Sequence, residues 1–394
     1  MRARSGLAAA DAQLFWLSRV TPNDQFLLYG FDGRPAAGAL EEVRHRAEAL
    51  PDFGLRVVDD TRWRYPRWEP AAVRDEQFVV HATPIGPGDP GALARLPHLD
   101  ATRVAWRVHL FEPNVVVVQI SHALGDGTRS SALAAALLGR PAGVPPVPAP
   151  RRGSAVRCFV AAARAHRDPP RPPRPALSVN GAPAGVPVLR TLLIDRSRLT
   201  GPTVTVAALT AIGAALGGYL TARGEDVSRL SAEVPVAGPP TDLARNNFRN
   251  VGVGLYPSLD RDGRAARIAA DLAEQRRRTG QPAVVADAAA LAATPAWLLR
   301  WGVGRFDPAA RSTTVTGNTV VSSVNRGAAD LSFGGCPVAY TAGFPALSPM
   351  QSLTHGVHGI GNTVAVSVHA DSVSVDVEDY LDRLAHALGL PAAT

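Results

Sequence analysis

Between residues 141 and 187 proline recurs so densely that no sheet interior can run through this part of the chain. Each proline fixes φ and removes a backbone donor, and Arg171-Pro172-Pro173-Arg174-Pro175 is the densest point. The segment predicts an extended crossover around a basic, solvated helix near residues 154–166. Strand and helix patterns mix on both sides of it. The 394 residues are therefore expected as an N-terminal α/β subdomain over 1–140, a Pro/Arg-rich crossover over 141–187 and a C-terminal α/β subdomain over 188–394. No direct repeat links the two halves.

In the first part, residues 7–17 and 40–50 read as helices and 25–31 as a strand. Residues 104–111 alternate, and 115–120 form an unbroken β-branched run, the mark of an interior strand. Residues 128–138 read as a helix with Thr128 available as its cap. In the third part, strands are expected over 188–194, 230–236, 251–256, 314–324 and 363–369. Helices are expected over 204–222, 264–279, 283–300 and 377–388. The apolar stretches 204–220 and 284–301 fall short of about 20 clean apolar residues, so buried helices are expected rather than membrane spans. Met1-Arg2-Ala3-Arg4 precedes an apolar run that Asp11 interrupts, so no signal peptide is evident and a cytoplasmic protein is expected.

Apolar residues make up 46% and charged residues 19%, which excludes global disorder. All 41 residues counted as Lys+Arg are Arg. A lysine Schiff base, a P-loop lysine, a kinase lysine and a Ser-x-x-Lys pair are therefore impossible. The net charge of +7 is dispersed, with clusters only at Arg151-Arg152 and Arg276-Arg277-Arg278. Aromatic residues do not interleave with arginine as a nucleic-acid surface requires, so no nucleic-acid partner is expected. Cys158 and Cys336 allow one bridge at most and no zinc site, and no metal or bound cofactor is expected.

The strongest local signal is Ser121-His122-Ala123-Leu124-Gly125-Asp126-Gly127, set between the interior strand and a helix. A histidine in that turn can project into a cleft while the strand beneath stays rigid. Near neutral pH an imidazole can take a proton from a hydroxyl or amine. Asp126 is placed to fold back and brace the loop, and Gly127 to allow backbone that a side chain would block.

The motif resembles the His-His-x-x-x-Asp-Gly of the bacterial wax ester synthase/diacylglycerol O-acyltransferase family, within the chloramphenicol acetyltransferase-like superfamily that includes condensation domains. Other segments agree in order. Leu7 through Phe15 resembles the opening helix, and Trp106-Arg107-Val108-His109-Leu110-Phe111 the strand before the motif. The run from Asn250 to Pro257 resembles the strand after an Asn-rich turn, and that from Asn318 to Val324 a late strand. Ser121 stands for the first His of the pair, and His122 matches the catalytic one. Thr205-Val206-Ala207-Ala208 stands where an Asn-Asp pair is expected, and Asn325-Arg326-Gly327 replaces a Pro-Gly-Pro turn.

The resemblance implies two chloramphenicol-acetyltransferase-like subdomains forming a pseudo-dimer with a central tunnel. It implies acyl transfer from a CoA or carrier-protein thioester to a hydroxyl or amine acceptor, with His122 as general base. Asp126 would orient the loop by pairing with an arginine. Ser322, Ser323 and Asn250 are the oxyanion or substrate-binding candidates. Acyl-CoA or acyl-phosphopantetheine would be the co-substrate. Arginines should rim the tunnel mouth that receives its phosphates. A carrier-dependent condensation-type tailoring enzyme and a catalytically degenerate acyl-ligand-binding protein are the alternatives. An acyl carrier protein partner, a peripheral lipid contact and either a monomer or a homodimer stay open.

Four lesser features are weighed against structural roles. His355 and His358 are expected on a loop or strand rather than on a metal. Asp371 and Asp376 are expected on solvated strand faces, and Cys336 as a small buried residue. Trp297 and Trp301, four apart on one helix face, fit core packing or the wall of an acyl tunnel, and core packing is the expectation.

Overall fold

The computed structural model describes residues 5–141, 144, 147, 154–165, 174–239 and 244–391. The Arg151-Arg152 cluster, Arg171 to Pro173 and His166 lie outside the described residues, as does much of the expected crossover. Its helix is described as Ala155–Ala165.

Two six-stranded sheets organise the chain. The first runs, neighbour to neighbour, Ser332–Phe333, Cys336–Gly343, Gln25–Phe31, Val115–Ile120, Trp106–Phe111 and Phe78–His81. The second runs Phe248–Gly254, Ser231–Ala237, Thr319–Asn325, Leu353–Ile360, Thr363–Asp371 and Pro187–Asp195. Helices cover the outer face of each. Ala9–Leu17, Ala39–Ala49 and Gly127–Leu137 enclose one core with the first sheet. Val204–Thr221, Arg261–Thr279 and Val377–Ala387 enclose another with the second sheet. A third, smaller core joins the inner faces through Leu28, Val117, Phe111, Leu189, Phe344 and Ala365.

Every residue of Val115–Ile120 is buried, because packed layers lie on both faces and remove any need for alternation. Each such aliphatic side chain contributes on the order of 2 kcal/mol by burial. Val204–Thr221 is long and apolar enough to cross a membrane, yet 72% of it is buried as a core helix.

The chain between 188 and 394 does not stay in one sheet. Cys336–Gly343 leaves the second half and pairs antiparallel with Gln25–Phe31, placing Gly343 opposite Leu27. At the crossover the sheets touch backbone to backbone. A side chain on Gly356 would stand 2.0 Å from the carbonyl oxygen of Gly343, so only glycine fits there.

Four expected elements differ from those found. The 283–300 helix is two, Pro282–Ala293 and Ala296–Gly304, bent by 101°. Pro295 drives Thr294 to an extended ψ of 133° and breaks the ladder. The 314–324 strand is Thr314–Val315 and Thr319–Asn325, interrupted where Gly317 presses on the backbone of Ala232 and Glu233. The 251–256 strand is Phe248–Gly254, and Tyr256 beyond it has a φ of +46°. The 128–138 helix starts at Gly127 and is capped by Asp126, not by Thr128.

Candidate active site

The interior strand delivers Ser121 to a single 3₁₀ turn, His122–Leu124, and the capped helix starts three residues later. His122 is therefore held by a strand behind it and a helix ahead of it. Its ring is partly buried, and Phe248 of the second sheet packs against it at 6.1 Å between centroids.

Its polar partner is Asn246, from the turn before Phe248–Gly254. His122 Nδ1 lies 3.3 Å from Asn246 Oδ1. The amide nitrogen of Asn246 donates to His122 O at 2.7 Å and to Asp11 Oδ1 at 2.8 Å. With its nitrogen so engaged, Asn246 offers only an oxygen to the ring, and His122 Nδ1 must carry the hydrogen. The lone pair then stands on Nε2, for which no hydrogen bond is found among the described residues. Burial lowers the His122 pKa, while Asn246, Asp126 and Asp24 act to raise it. The ring is thus neutral and basic near pH 7.

Asp11, on the opening helix, anchors the turn. Its carboxylate accepts from the backbone N–H of Arg245 at 3.0 Å and of Asn246 at 2.9 Å. It is 2% exposed, and burial raises its pKa against the lowering effect of those bonds. Behind it, Asp52 joins Arg129 at 2.9 Å and also Arg245. Burial raises the Asp52 pKa, but the two guanidiniums outweigh it and hold the carboxyl below its usual range.

Asp126 accepts from the backbone N–H of Thr128 at 3.1 Å, of Arg129 at 3.0 Å and of Asn247 at 3.1 Å. Among the described residues it forms no ion pair with an arginine, contrary to expectation. It braces the loop through amides, tying the motif to the turn that supplies Asn246. The glycine that the conformation demands is Gly125, with φ +157° and Arg129 carbons within 3 Å of any added Cβ. Gly127 sits in the first helical turn, where a Cβ would meet only Val324 and Gln25 within 4 Å.

Successive side chains of a strand point to opposite faces. Ser322 therefore shares the face of Val324, whose Cγ2 stands 3.4 Å from where a side chain on Gly127 would begin. Ser323 points the other way, to Thr205 Oγ1 at 2.8 Å, on the helix where an Asn-Asp pair was expected. Asn250 is exposed two residues beyond Phe248, and its amide donates to Glu233 at 2.5 Å. The asparagine at the histidine is Asn246, four positions earlier.

The lesser expectations resolve on strand geometry. His355 and His358 lie on Leu353–Ile360, where a spacing of three puts them on opposite faces. His355 is sealed between Thr319 and Tyr380, and burial pushes its pKa down to about 3. Asp371 is fully buried rather than solvated, and accepts from the N–H groups of Ala184, Gly185 and Ser374. Asp376 caps the last helix. Cys336 is buried, and both cysteines are free. Trp297 and Trp301 are 49% and 57% exposed, not core. Their short helix packs on the first core through Ala296, Leu299 and Val303, which leaves the tryptophan face outward. No cluster of metal-binding side chains is found among the described residues.

Residues 264–390 match the family model described as the WS/DGAT C-terminal domain. The match covers the second sheet's later strands and the strand that crosses to the first sheet.

The whole length shares its fold with two groups of solved structures. One is a wax ester synthase/diacylglycerol acyltransferase from Marinobacter aquaeolei, with 19% identity, 98% of each chain covered and a TM-score of 0.63. Another is the starter condensation domain of rhizomide synthetase in complex with C8-CoA and Leu-SNAC, with 14% identity, 99% and 95% covered and a TM-score of 0.61. The first condensation domain of the calcium-dependent antibiotic synthetase, in complex with a substrate analogue, follows with 14% identity, 100% and 98% covered and a TM-score of 0.57. The two-subdomain, chloramphenicol-acetyltransferase-like architecture is thus the fold of this chain. No curated protein matches it in sequence.

Proposed function

We propose that the protein is an acyltransferase that moves an acyl group from a CoA or carrier-protein thioester to a hydroxyl or amine acceptor, with His122 as general base. The observation that carries this reading is the ring's fixed tautomer. Asn246 Oδ1 holds the hydrogen on Nδ1 and leaves the Nε2 lone pair for the acceptor's proton. His122 Nε2 takes that proton as the acceptor oxygen or nitrogen bonds to the acyl carbon. The acyl–sulfur bond breaks and the proton passes to the departing thiolate. No lysine and no acyl-enzyme are needed. Ser322, on the face turned to the motif helix, is the oxyanion donor favoured over Ser323, whose hydroxyl is held by Thr205.

The C8-CoA bound to the rhizomide synthetase domain supports a CoA thioester as donor. The likeness to condensation domains equally supports a carrier-bound thioester. Thiol release from acyl-CoA, and from a loaded carrier protein, with alcohols and amines as acceptors tests the reading and separates the donors. His122→Ala should lower turnover roughly 10²- to 10⁴-fold without lowering the melting temperature. Full activity in that variant refutes the mechanism. Tight acyl-ligand binding with no turnover on any donor would favour the non-catalytic alternative.

The outward Trp297, Trp301 and Phe306 support a peripheral lipid contact, since indole rings sit well at a headgroup boundary. Loss of liposome co-sedimentation in a Trp297→Ala, Trp301→Ala double variant is the expected result. Unchanged co-sedimentation counts against it.

A further inference from the structure

A chain of side chains on the inner face of the first sheet ends at Asp24, beside the motif. His81 Nε2 lies 3.1 Å from His109 Nδ1, and His109 Nε2 lies 3.0 Å from Gln119 Oε1. Gln119 Nε2 donates to Asp24 Oδ2 at 2.8 Å and to Pro97 O at 3.0 Å. His109 and Gln119 are 1% and 0% exposed.

The direction of every hydrogen in this chain is fixed. The Gln119 nitrogen donates to two oxygens, so its Oε1 must accept and His109 Nε2 carries a hydrogen. His109 Nδ1 then accepts, and His81 Nε2 donates to it. All three donors point toward Asp24. Burial pushes the His109 pKa down to about 4 and lowers that of His81, so both rings are neutral near pH 7. The Asp24 carboxylate also accepts from Leu99 N at 2.9 Å.

The ladder places this carboxylate. Gln25 pairs with Ile120 and Phe26 with Gln119 in antiparallel register. One step further along, Asp24 comes alongside Ser121, the residue before His122. Asp24 shares the inner face with Phe26 and Gln119. Gln25, its neighbour, reaches the same turn by donating to Gly125 O at 2.7 Å.

We propose that Asp24 is a positioning residue for the reaction, its carboxylate held beside the motif turn by the His81–His109–Gln119 chain so as to stabilise the imidazolium that His122 becomes on taking the acceptor's proton. The inference rests on the acyl-transfer reading for the reaction it serves. Asp24 moves no proton itself. Other titratable, charged and polar groups face the pair among the described residues. His98, 53% exposed, lies 3.4 Å from Asp24, and Arg107 stands opposite Gln119. Asp126 and Asn246 face His122, with Asp11 behind Asn246.

The test is the titration of His122 followed by NMR on histidine-labelled protein, in parallel with the pH profile of kcat/KM. Asp24→Asn should move the His122 pKa about one unit lower, with an equal shift of the acid limb and a plateau roughly tenfold slower. Asp24→Glu should restore part of each. His98→Gln, at a half-exposed site, should move the pKa upward by removing a ring that, when protonated, competes with His122 for the Asp24 carboxylate. It keeps the idea testable if Asp24→Asn does not fold. An unmoved His122 titration in Asp24→Asn and His98→Gln overturns the inference, whatever the activity. Shifts of the expected sign with no transfer from any thioester would uphold the Asp24–His122 coupling and refute acyl transfer alone.

Discussion

Asn246→Asp changes one NH₂ group into an oxygen and keeps the shape of the side chain. In the native site that nitrogen stands 2.8 Å from Asp11 Oδ1 and 2.7 Å from His122 O. The variant therefore aims a carboxylate oxygen at a second carboxylate inside the fold. Two full charges about 3 Å apart repel by about 5 kcal/mol at an effective dielectric near 20. Keeping one proton on the pair near pH 7 costs about 4 kcal/mol, at about 1.4 kcal/mol per unit above an ordinary carboxylic pKa. The pair will therefore hold a proton. Its folded pKa is raised above the unfolded value, so its stability is fully present below the unfolded pKa and is lost as pH rises through the folded one. Urea unfolding of parent and variant at several pH values reads this directly. The stability difference should widen by about 1.4 kcal/mol per pH unit from mildly acidic to neutral solution. A difference that does not change with pH would show that the Asn246 nitrogen does not face Asp11. The tautomer assigned to His122 would then lose its basis.

Three further outcomes follow from the same contacts. Gly125→Ala should abolish turnover and lower stability, because φ is +157° and Arg129 fills the space, whereas Gly127→Ala should retain both; activity and melting temperature of the pair are the readout. Asp52→Asn should cost about 3 kcal/mol by releasing Arg129 and Arg245 from a shared, mostly buried partner. The depressed Asp52 pKa gives stability that is present above the unfolded pKa and lost as pH falls through the folded one, so the gap between parent and variant should close in acid. Arg264→Lys should cost about 1–3 kcal/mol in urea unfolding, since an ammonium cannot reach all of the carbonyls of Thr210, Tyr256, Pro257 and Leu259 that the guanidinium bonds.

The legible parts of this sequence were those where one physical signal acts alone. Gln25–Phe31 and Val115–Ile120 lie where pattern places them, because long β-branched or aromatic runs have few other uses. His122 was legible because its motif sits at a strand-to-helix junction. Cys336–Gly343 and Leu353–Ile360 were not, since glycine dilutes both runs, with a proline also in the first, and Gly343 and Gly356 serve contact between the sheets. The helix break at Pro295 carried a plain signal that the apolar run masked. Asn246 was hidden for another reason. Nothing in the local sequence distinguishes Asn246, Asn247 and Asn250 as hydrogen-bonding groups. Only the three-dimensional meeting of the turn with Asp11 and the motif, 235 and 124 residues away in the chain, selects the first of them.

The absence of lysine reshapes what the net charge of +7 means. Where another chain would divide its cations between two side chains, this one places a planar, five-donor group at every basic position. Several of those groups are consumed inside the fold. Arg264 and Arg326 are 8% and 5% exposed. Arg264 ties a helix start to the turn before it, and Arg326 leaves the second sheet to donate to Leu28 O and Thr341 of the first. Arg140 donates to the carbonyls of Arg326 and Ala328 and to Asp330, closing the loop behind the late strand. Arg129 and Arg245 meet on Asp52 behind the site. These arginines are the fastenings between subdomains and around the motif, so they are not free to bind a phosphate. The cations left for an anionic co-substrate are correspondingly fewer than the composition suggests. A phosphate-bearing arm that reaches His122 must therefore find its partners among arginines outside these networks or among backbone amides.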